Sequence, residues 1–429
     1  MSDWQQIGLG DLETPVRRKA AVPPQGSRDS MRDGYPLRPL GEVMRLDIQR
    51  TPMKPATTYR LAGVLNAGKG VVAKGELDGG DTEYAAMNVL RADQVVMRKL
   101  TAWEGPITVV PAEFDGFVVS NEFPTFTLSP ELMPDWMRHV CGSPRLWAEM
   151  KNRVSGTVQR RKRLNPEQLL QIRLPIPPRE VQARIVEMLD AVDDQIAALD
   201  REASAANTAA GAIAESMLAD HAPVRVGNYL DRIEGGRSPQ AVDAPPKEDE
   251  KGVLKVSAVA AFHFIADEAK TLASETEMPK SAEVRAGDVL VTRANGAIHR
   301  VGAVCRVPSD VRRGLYLSDK TLRLVTASGL DPDFLVVAMS LSAVRRQIVM
   351  AASGSASMKN ISQSKITALE APVPELAEQR KVASTVLSVR SLGRASHAEA
   401  DRLRQVRAAL LAGLLDGTIS IGAADLEVA

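Results

Sequence analysis

Cysteine occurs only at positions 141 and 305, and histidine five times in 429 residues. That is too few for a disulfide framework or a structural zinc site. Aromatic residues make up 4% of the chain, a poor basis for stacking on single-stranded nucleic acid. The longest apolar run, Phe334 to Val344, is 11 residues and includes two serines, well short of the roughly 20 needed to cross a bilayer. The opening Met1-Ser-Asp-Trp-Gln-Gln lacks the basic-then-apolar order of a signal peptide. A cytoplasmic protein without membrane contact is the expectation.

Catalytic signatures are also missing. There is no Asn/Asp-Pro-Pro-Tyr/Phe element, His-Glu-x-x-His or Gly-x-Ser-x-Gly. Gly8-Leu-Gly10 runs into acidic loop sequence rather than a helix. The run from Gly63 through Gly68-Lys69-Gly70 nearly matches a phosphate-binding loop, but Gly70 stands where a magnesium-binding Ser or Thr belongs. No catalytic residue and no metal site are expected, and the chain reads as a binder rather than an enzyme.

What is present is the composition of a folded protein, 44% hydrophobic and 25% charged, with room for two or three domains. The net charge is only +1, yet charge is segregated. Lys151 to Arg184 carries nine basic residues against Glu167 and Glu180, and Arg285 to Arg323 carries eight against Asp288, Asp310 and Asp319. Such clusters can grip phosphate on one face; a solvated surface balanced in three dimensions is the plainer reading of charge alone.

The chain also repeats itself. Pro175-Ile-Pro177, Gln182 and Arg184-Ile185 recur as Pro372-Val-Pro374, Gln379 and Lys381-Val382, a shift of 197. Ser120, Pro134-Asp-Trp136 and Gly156 recur as Ser318, Pro332-Asp-Phe334 and Gly354 at 198. Val89, Ala92-Asp93 and Arg98 match Val284, Gly287-Asp288 and Arg293 at 195. The period is too long for a solenoid and marks a duplicated domain with its connector.

Each copy ends in a long helical pattern. In the first, Val181, Ile185, Leu189, Val192, Ile196, Leu199, Ala203, Ala206, Ala210, Ile213 and Met217 keep 4-3 spacing after Pro177-Pro178, a coiled-coil seam behind a helix-starting proline. The second runs from about Leu376 to Leu415, with Val382, Val386, Val389, Gly393, Ser396, Ala400, Leu403, Val406 and Leu410 on its seam, and Gly417 to end it. Bulk at Ile196 and Leu199 faces small residues at Gly393, Ser396 and Ala400 if the helices pair antiparallel about Leu199 and Ser396. The alternative is that each helix packs on its own domain.

The expected class is α+β: two mixed domains alternating with two long helices that pair as an antiparallel coiled coil. We divide the chain into a flexible arm (1–36), a first mixed domain (37–178), a first spacer helix (179–220), a second mixed domain (221–375), a second spacer helix (376–418) and a tail (419–429). Strands are expected at 107–110, 116–119, 288–292 and 321–325, and a capped short helix at Asn165-Pro166-Glu167-Gln168.

A mixed domain, then Leu174-Pro-Ile-Pro-Pro178 with Gln182 and Ile185, then a heptad helix, all repeated once, resembles the specificity subunit of type I restriction-modification systems. In the second copy Gly354, Ile361-Ser362, Pro372-Val-Pro374, Glu378-Gln379, Leu414-Leu415, Gly417 and Ile419 carry the likeness, with Asp288-Val-Leu, Arg293 and Gly302-Ala-Val inside the domain. In the first domain the matching runs are Lys99 to Trp103 and Gly105, then Ser120 and Glu122-Phe-Pro124. The likeness covers about 37–421. Val181 and Glu375 depart from the family pattern, and the first helix runs into Asp220-His221 without a glycine stop.

The resemblance implies two target-recognition domains, each reading half of a split sequence in double-stranded DNA. Helices of about 40 residues, roughly 60 Å long, would limit the half-sites to within about 18 base pairs. It implies two methyltransferase subunits and restriction or motor subunits as partners, with S-adenosylmethionine, ATP and Mg on those partners and no cofactor on this chain. Base reading favours Arg or Lys on guanine and Asn or Gln on adenine. The DNA-binding candidates are Arg98, Lys99, Arg160, Arg161, Lys162 and Arg163 in the first domain, and Arg293, Asn295, Arg300, Lys359, Asn360 and Gln363 in the second. Phosphate contact or solvation is the commoner fate of any one of them. Two other functions fit parts of the sequence: a coiled-coil scaffold that does not read DNA, and a nucleotide-binding enzyme built on the Gly63–Gly70 loop.

Overall fold

The computed structural model describes residues 35–155, 162–355 and 357–419. The chain divides into two units, one formed by residues up to 193 and from 405 onward, the other by 194–404. Each unit therefore holds one mixed domain and a share of both long helices. The expected arm, up to residue 34, lies outside the described residues, as do Arg160 and Arg161.

In the first unit a four-stranded antiparallel sheet is ordered Met44–Leu46, Thr125–Leu128, Val95–Met97, Ile107–Val109. A five-stranded sheet ends in the hairpin Thr58–Val64 with Val71–Asp78. Short helices Pro134–Cys141, Pro144–Arg153 and Pro166–Leu170 follow. The core is closed by Phe126, Trp136, Leu146 and Met150, all fully buried. The helix expected at Asn165 forms with its box: the Asn165 N–H donates to Gln168 Oε1 at 2.8 Å.

The second unit repeats the plan. Its four-stranded sheet is ordered Leu230–Gly235, Thr321–Thr326, Val289–Thr292, Val304–Arg306. Helices Pro332–Ala338, Ser342–Ala351 and Gln363–Thr367 follow. The longest apolar run thus breaks into two core helices bent by 73°, and among the described residues no single helix is long and apolar enough to cross a membrane. Four strands in the same order, then three helices at shifts of 197–198, make the duplication structural.

The repeated glutamine explains the repeated motif. Gln182 is fully buried; its Oε1 accepts from Met133 N, and its Nε2 donates to the carbonyls of Glu131 and Pro177, all at 2.9 Å. Gln379 does the same with Asp331 N, Gly329 O and Pro374 O at 2.8–2.9 Å. In each unit one amide satisfies the chain ahead of the first short helix and the carbonyl of the Pro-x-Pro strand, and so fixes where the long helix starts. An amide with one acceptor and two donors is the side chain that can do this.

The long helices span Arg179–Met217 and Leu376–Asp416. In the second unit they run antiparallel: Arg390 donates to Asn207 Oδ1 (3.1 Å), and a Cβ at Gly393 would meet Ala203 O and Ala206 Cβ at 3.1 Å. The crossing is within a turn of the expected Leu199–Ser396 contact. The same helices also pack on the mixed domains, since Ala210, Ala214, Val382 and Val386 join the second domain's core and Ile185, Leu189, Leu411, Leu414 and Leu415 the first domain's. One seam residue is corrected. Val406 is 54% exposed, because a helix of 3.6 residues per turn drifts off a 3.5 repeat, and Leu411, Leu414 and Leu415 take over the buried face.

Candidate nucleic-acid interface

Most of the basic candidates gather on one small antiparallel ribbon in each domain. In the first, Lys99 N donates to Glu122 O (2.8 Å), Leu164 N to Lys99 O (3.1 Å) and Thr101 N to Lys162 O (3.0 Å). Arg163 is the middle rung, bridged to Leu100 on one side and Ser155 on the other. In the second, Arg293 N donates to Lys320 O (2.8 Å) and Ile361 N to Arg293 O (2.9 Å). Asn295 faces Lys359, and Asn360 is the middle rung between Ala294 and Ser353.

These bonds put Lys99 with Arg293, Lys162 with Lys359 and Arg163 with Asn360. The register differs by one residue from the sequence pairing of Arg98 with Arg293 and of Asp93 with Asp288. Asp93 and Gly287 are the true counterparts: both have positive φ, 65° and 81°, and both donate to the carbonyl of the residue just past a strand, Val110 and Val307. The backbone preserves the left-handed turn, whereas the sequence comparison preserved the carboxylate.

The remaining candidates fall in varied settings. The Arg98 guanidinium is engaged internally by Asn66 Oδ1 and Thr101 Oγ1 (2.7 Å each), Leu100 O (3.0 Å) and Glu104 (3.3 Å). It thereby holds the Gly63–Gly70 turn. That turn closes an antiparallel hairpin, with Leu65 N donating to Gly70 O at 3.0 Å, and no helix follows it, so it lacks the strand-to-helix step of a phosphate-binding loop. Lys359 Nζ reaches Gly354 O (3.1 Å). Asn295 is half-buried, and its Oδ1 accepts from Ala297 N (3.0 Å). Arg300 is exposed at the end of the turn Ile298–Arg300, and Gln363 is exposed at the start of the helix Gln363–Thr367.

Glu122 was not singled out as a site residue from sequence. Its Oε1 lies 3.0 Å from Arg163 Nη2, while Oε2 is buried without a hydrogen-bond partner among the described residues. Its counterpart is the exposed Lys320. The signal available was the bare presence of an acidic residue in a basic domain, which does not say where it points.

Among the described residues one trio, His139, Asp190 and Asp193, has the spacing of a metal site. Two arginines already hold it. Arg407 Nη2 lies 2.8 Å from both Asp193 Oδ2 and His139 Nδ1, and Arg138 donates to Asp190 Oδ1 at 2.8 Å. With Nδ1 facing a donor, the ring proton belongs on Nε2, 3.0 Å from Asp190 Oδ1. Burial, then the charges of Arg138 and Arg407, push the His139 pKa down to about 4, so the ring is neutral at pH 7. Burial is the largest single influence on Asp190 and opposes its ionisation, but the hydrogen bond and charge of Arg138 and the His139 ring together outweigh it and hold the carboxyl below its usual range. Burial pushes Cys305 up to about 12 and Cys141 higher still, which makes both thiols inert.

Paired long helices alternating with two copies of one domain define a class of duplicated, helix-spaced proteins. Residues 148–205 match the family model described as type I restriction modification DNA specificity domain. The chain is 33% identical over 165 residues to the type I restriction enzyme EcoEI specificity subunit of Escherichia coli, covering 38% of this chain and 27% of that one. The match spans about a quarter of that relative's length. The fold is similar to a chain solved in work on assembly and conformational transition of the type I R-M system (20% identity, 90% and 98% of the two chains covered, TM-score 0.54). It is also similar to the type I restriction-modification S subunit from M. genitalium (13% identity, 92% and 99% covered, TM-score 0.51). The local family match, the partial sequence match and the fold point the same way: this chain is similar to type I restriction-modification specificity subunits.

Proposed function

We propose that this chain is the non-catalytic DNA-specificity subunit of a type I restriction-modification complex, each mixed domain reading one half of a split duplex target. The observation that carries this reading is the ribbon built twice on the same plan, with Lys99, Lys162 and Arg163 in one domain and Arg293, Lys359 and Asn360 in the other. Lysine and arginine neutralise phosphates and set position on the duplex; Arg and Asn side chains at the middle rung carry base-reading chemistry. Arg300, Asn295 and Gln363 extend the second surface, and Arg160 and Arg161 belong with the first. Arg98 has an internal role and contributes through the turn it holds.

In this reading the partners are double-stranded DNA, two adenine methyltransferase subunits and the restriction or motor subunits. S-adenosylmethionine, ATP and Mg reside on those partners, and the complex is cytoplasmic. The exposed faces of the long helices, rich in alternating charge, are the surfaces left for partner helices.

A long-read methylome of the host with and without this gene tests the proposal. Loss of adenine methylation at one split motif on deletion is the expected outcome. An unchanged methylome, together with no duplex binding by the purified chain and its neighbouring methyltransferase, would establish a scaffold that does not read DNA.

A further inference from the structure

From the paired ribbons we infer that the middle rung is the base-selecting position of each domain: Arg163, held by Glu122, selects guanine in the first half-site, and Asn360 selects adenine in the second. The inference rests on the DNA-reading function proposed above and adds which residues choose the base.

Three observations carry it. Arg163 and Asn360 occupy the same rung, each bridged on both sides by backbone, so their side chains leave from equivalent, rigid places. Rigid backbone placement is what base readout demands, since a bidentate contact tolerates little misplacement. The two side chains then differ in the way that separates the purines: a guanidinium donates to guanine O6 and N7, while a carboxamide both donates and accepts, matching adenine N6 and N7.

The third observation is the partner beside each rung. The Arg163 side chain is 53% exposed yet paired at 3.0 Å with Glu122, whose second carboxylate oxygen is buried without a partner among the described residues. A carboxylate with an unfilled acceptor next to an exposed guanidinium is a positioning group, fixing the arginine fork before the base arrives. The counterpart of Glu122 is Lys320. A cation there cannot accept from the Asn360 amide NH₂ as Glu122 accepts from the guanidinium, and an exposed ammonium suits phosphate. So the first rung pairs a charged reader with an acidic orienter, and the second pairs a neutral reader with a cation.

The test selects split duplexes from a randomised pool with the full-length chain assembled with its neighbouring methyltransferase and reads the enriched motif by sequencing. Wild-type protein is expected to enrich one guanine in one half-site and one adenine in the other that respond to these residues. Arg163→Asn should move preference at the first position from guanine toward adenine, a change of roughly 5- to 150-fold in relative enrichment, and leave the second half-site untouched. Asn360→Arg should do the reverse in the second half-site only. Glu122→Gln should lower discrimination at the Arg163 position without altering the other half, and Glu122→Asp should restore part of it; a role in folding alone would weaken both halves together.

If the wild-type chain enriches a split motif and both rung variants keep that motif at lower affinity, the rungs contact phosphate and the inference is overturned while the function stands. If the wild-type chain enriches no motif, the function falls and the inference with it. The Asn360→Arg variant guards against misfolding of the Arg163 variant, because the two lie in separate domains.

Discussion

The two places where the long helices meet the mixed domains share a clamp and differ in everything around it. Both use a buried glutamine, Gln182 or Gln379, with three equivalent hydrogen bonds. Beyond it, the first junction is ionic: His139 in the domain, Asp190 and Asp193 on one helix, Arg407 on the other. At the second junction the counterpart of His139 is the buried Val337, and that of Asp193 is Arg390. Arg390 lies over the Phe262 ring at 3.7 Å and donates to Asn207. One backbone plan thus tolerates opposite chemistries, because the glutamine fixes the geometry and leaves the neighbouring contacts to vary.

The largest effect is expected where the two junctions agree. Gln182→Leu leaves Met133 N–H and the carbonyls of Glu131 and Pro177 unpaired in a dry site, and should destabilise the first unit by about 3 kcal/mol. Gln379→Leu should cost the second unit the same. Calorimetry would show each as a fall of about 6–12 °C in the transition of one unit. A large difference between the two variants would mean that the clamps are not equivalent and that the surrounding contacts share the load.

The clamp's residues were legible in the sequence as a repeated motif, though their hydrogen bonds were not, and the junctions left no mark there, for a physical reason. Pro-x-Pro and glutamine sit five residues apart, so a local pattern records a local geometry, and it is written twice. Both helices were legible for the same cause, their seams being periodic; the first begins directly after Pro178 and the second ends at Asp416, before Gly417 at φ 72°. The contact between Arg407 and His139 joins residues 268 apart, and nothing local marks either partner. The ribbon register failed by one residue because its turn is conserved in backbone sign, Asp93 against Gly287, rather than in side chain. Glu122 shows the same limit: its carboxylate matters through Arg163, 41 positions later in the chain.

The ionic junction should be the acid-sensitive one. His139 is faced by Arg138 and Arg407 as well as by Asp190 and Asp193, and its folded pKa lies near 4 against an ordinary 6.5. Below pH 6.5 the unfolded chain takes up a proton that the folded ring refuses, so stability of the first unit falls as pH drops from 6.5 toward 4, by up to about 3 kcal/mol. Further loss from Asp190 begins only at lower pH, because its folded pKa is depressed. Denaturant melts of wild type and His139→Gln across pH 4–7 should diverge in slope for the first unit alone. Equal slopes would mean that the ring is not the group that titrates.

The smallest expected effect tests the aromatic junction, where two terms oppose each other. Phe262 adopts φ 62°, a conformation that costs a bulky residue about 1–2 kcal/mol. Its contact with Arg390, whose guanidinium is partly buried and therefore held below its ordinary pKa, returns about 1–2 kcal/mol for a desolvated cation over a ring, along with the apolar area its ring covers. Phe262→Gly relieves the strain but loses the contact and the ring's partial apolar cover, so the net loss should be about 1–2 kcal/mol. Phe262→Ala keeps a Cβ in the strained conformation and should be the worse of the two by several tenths of a kcal/mol, an inversion of the usual alanine-over-glycine order. Chemical denaturation of the two variants would read that order directly. If alanine proved the more stable, the left-handed turn would not be strained, and the ring, rather than the backbone, would set the cost of this junction.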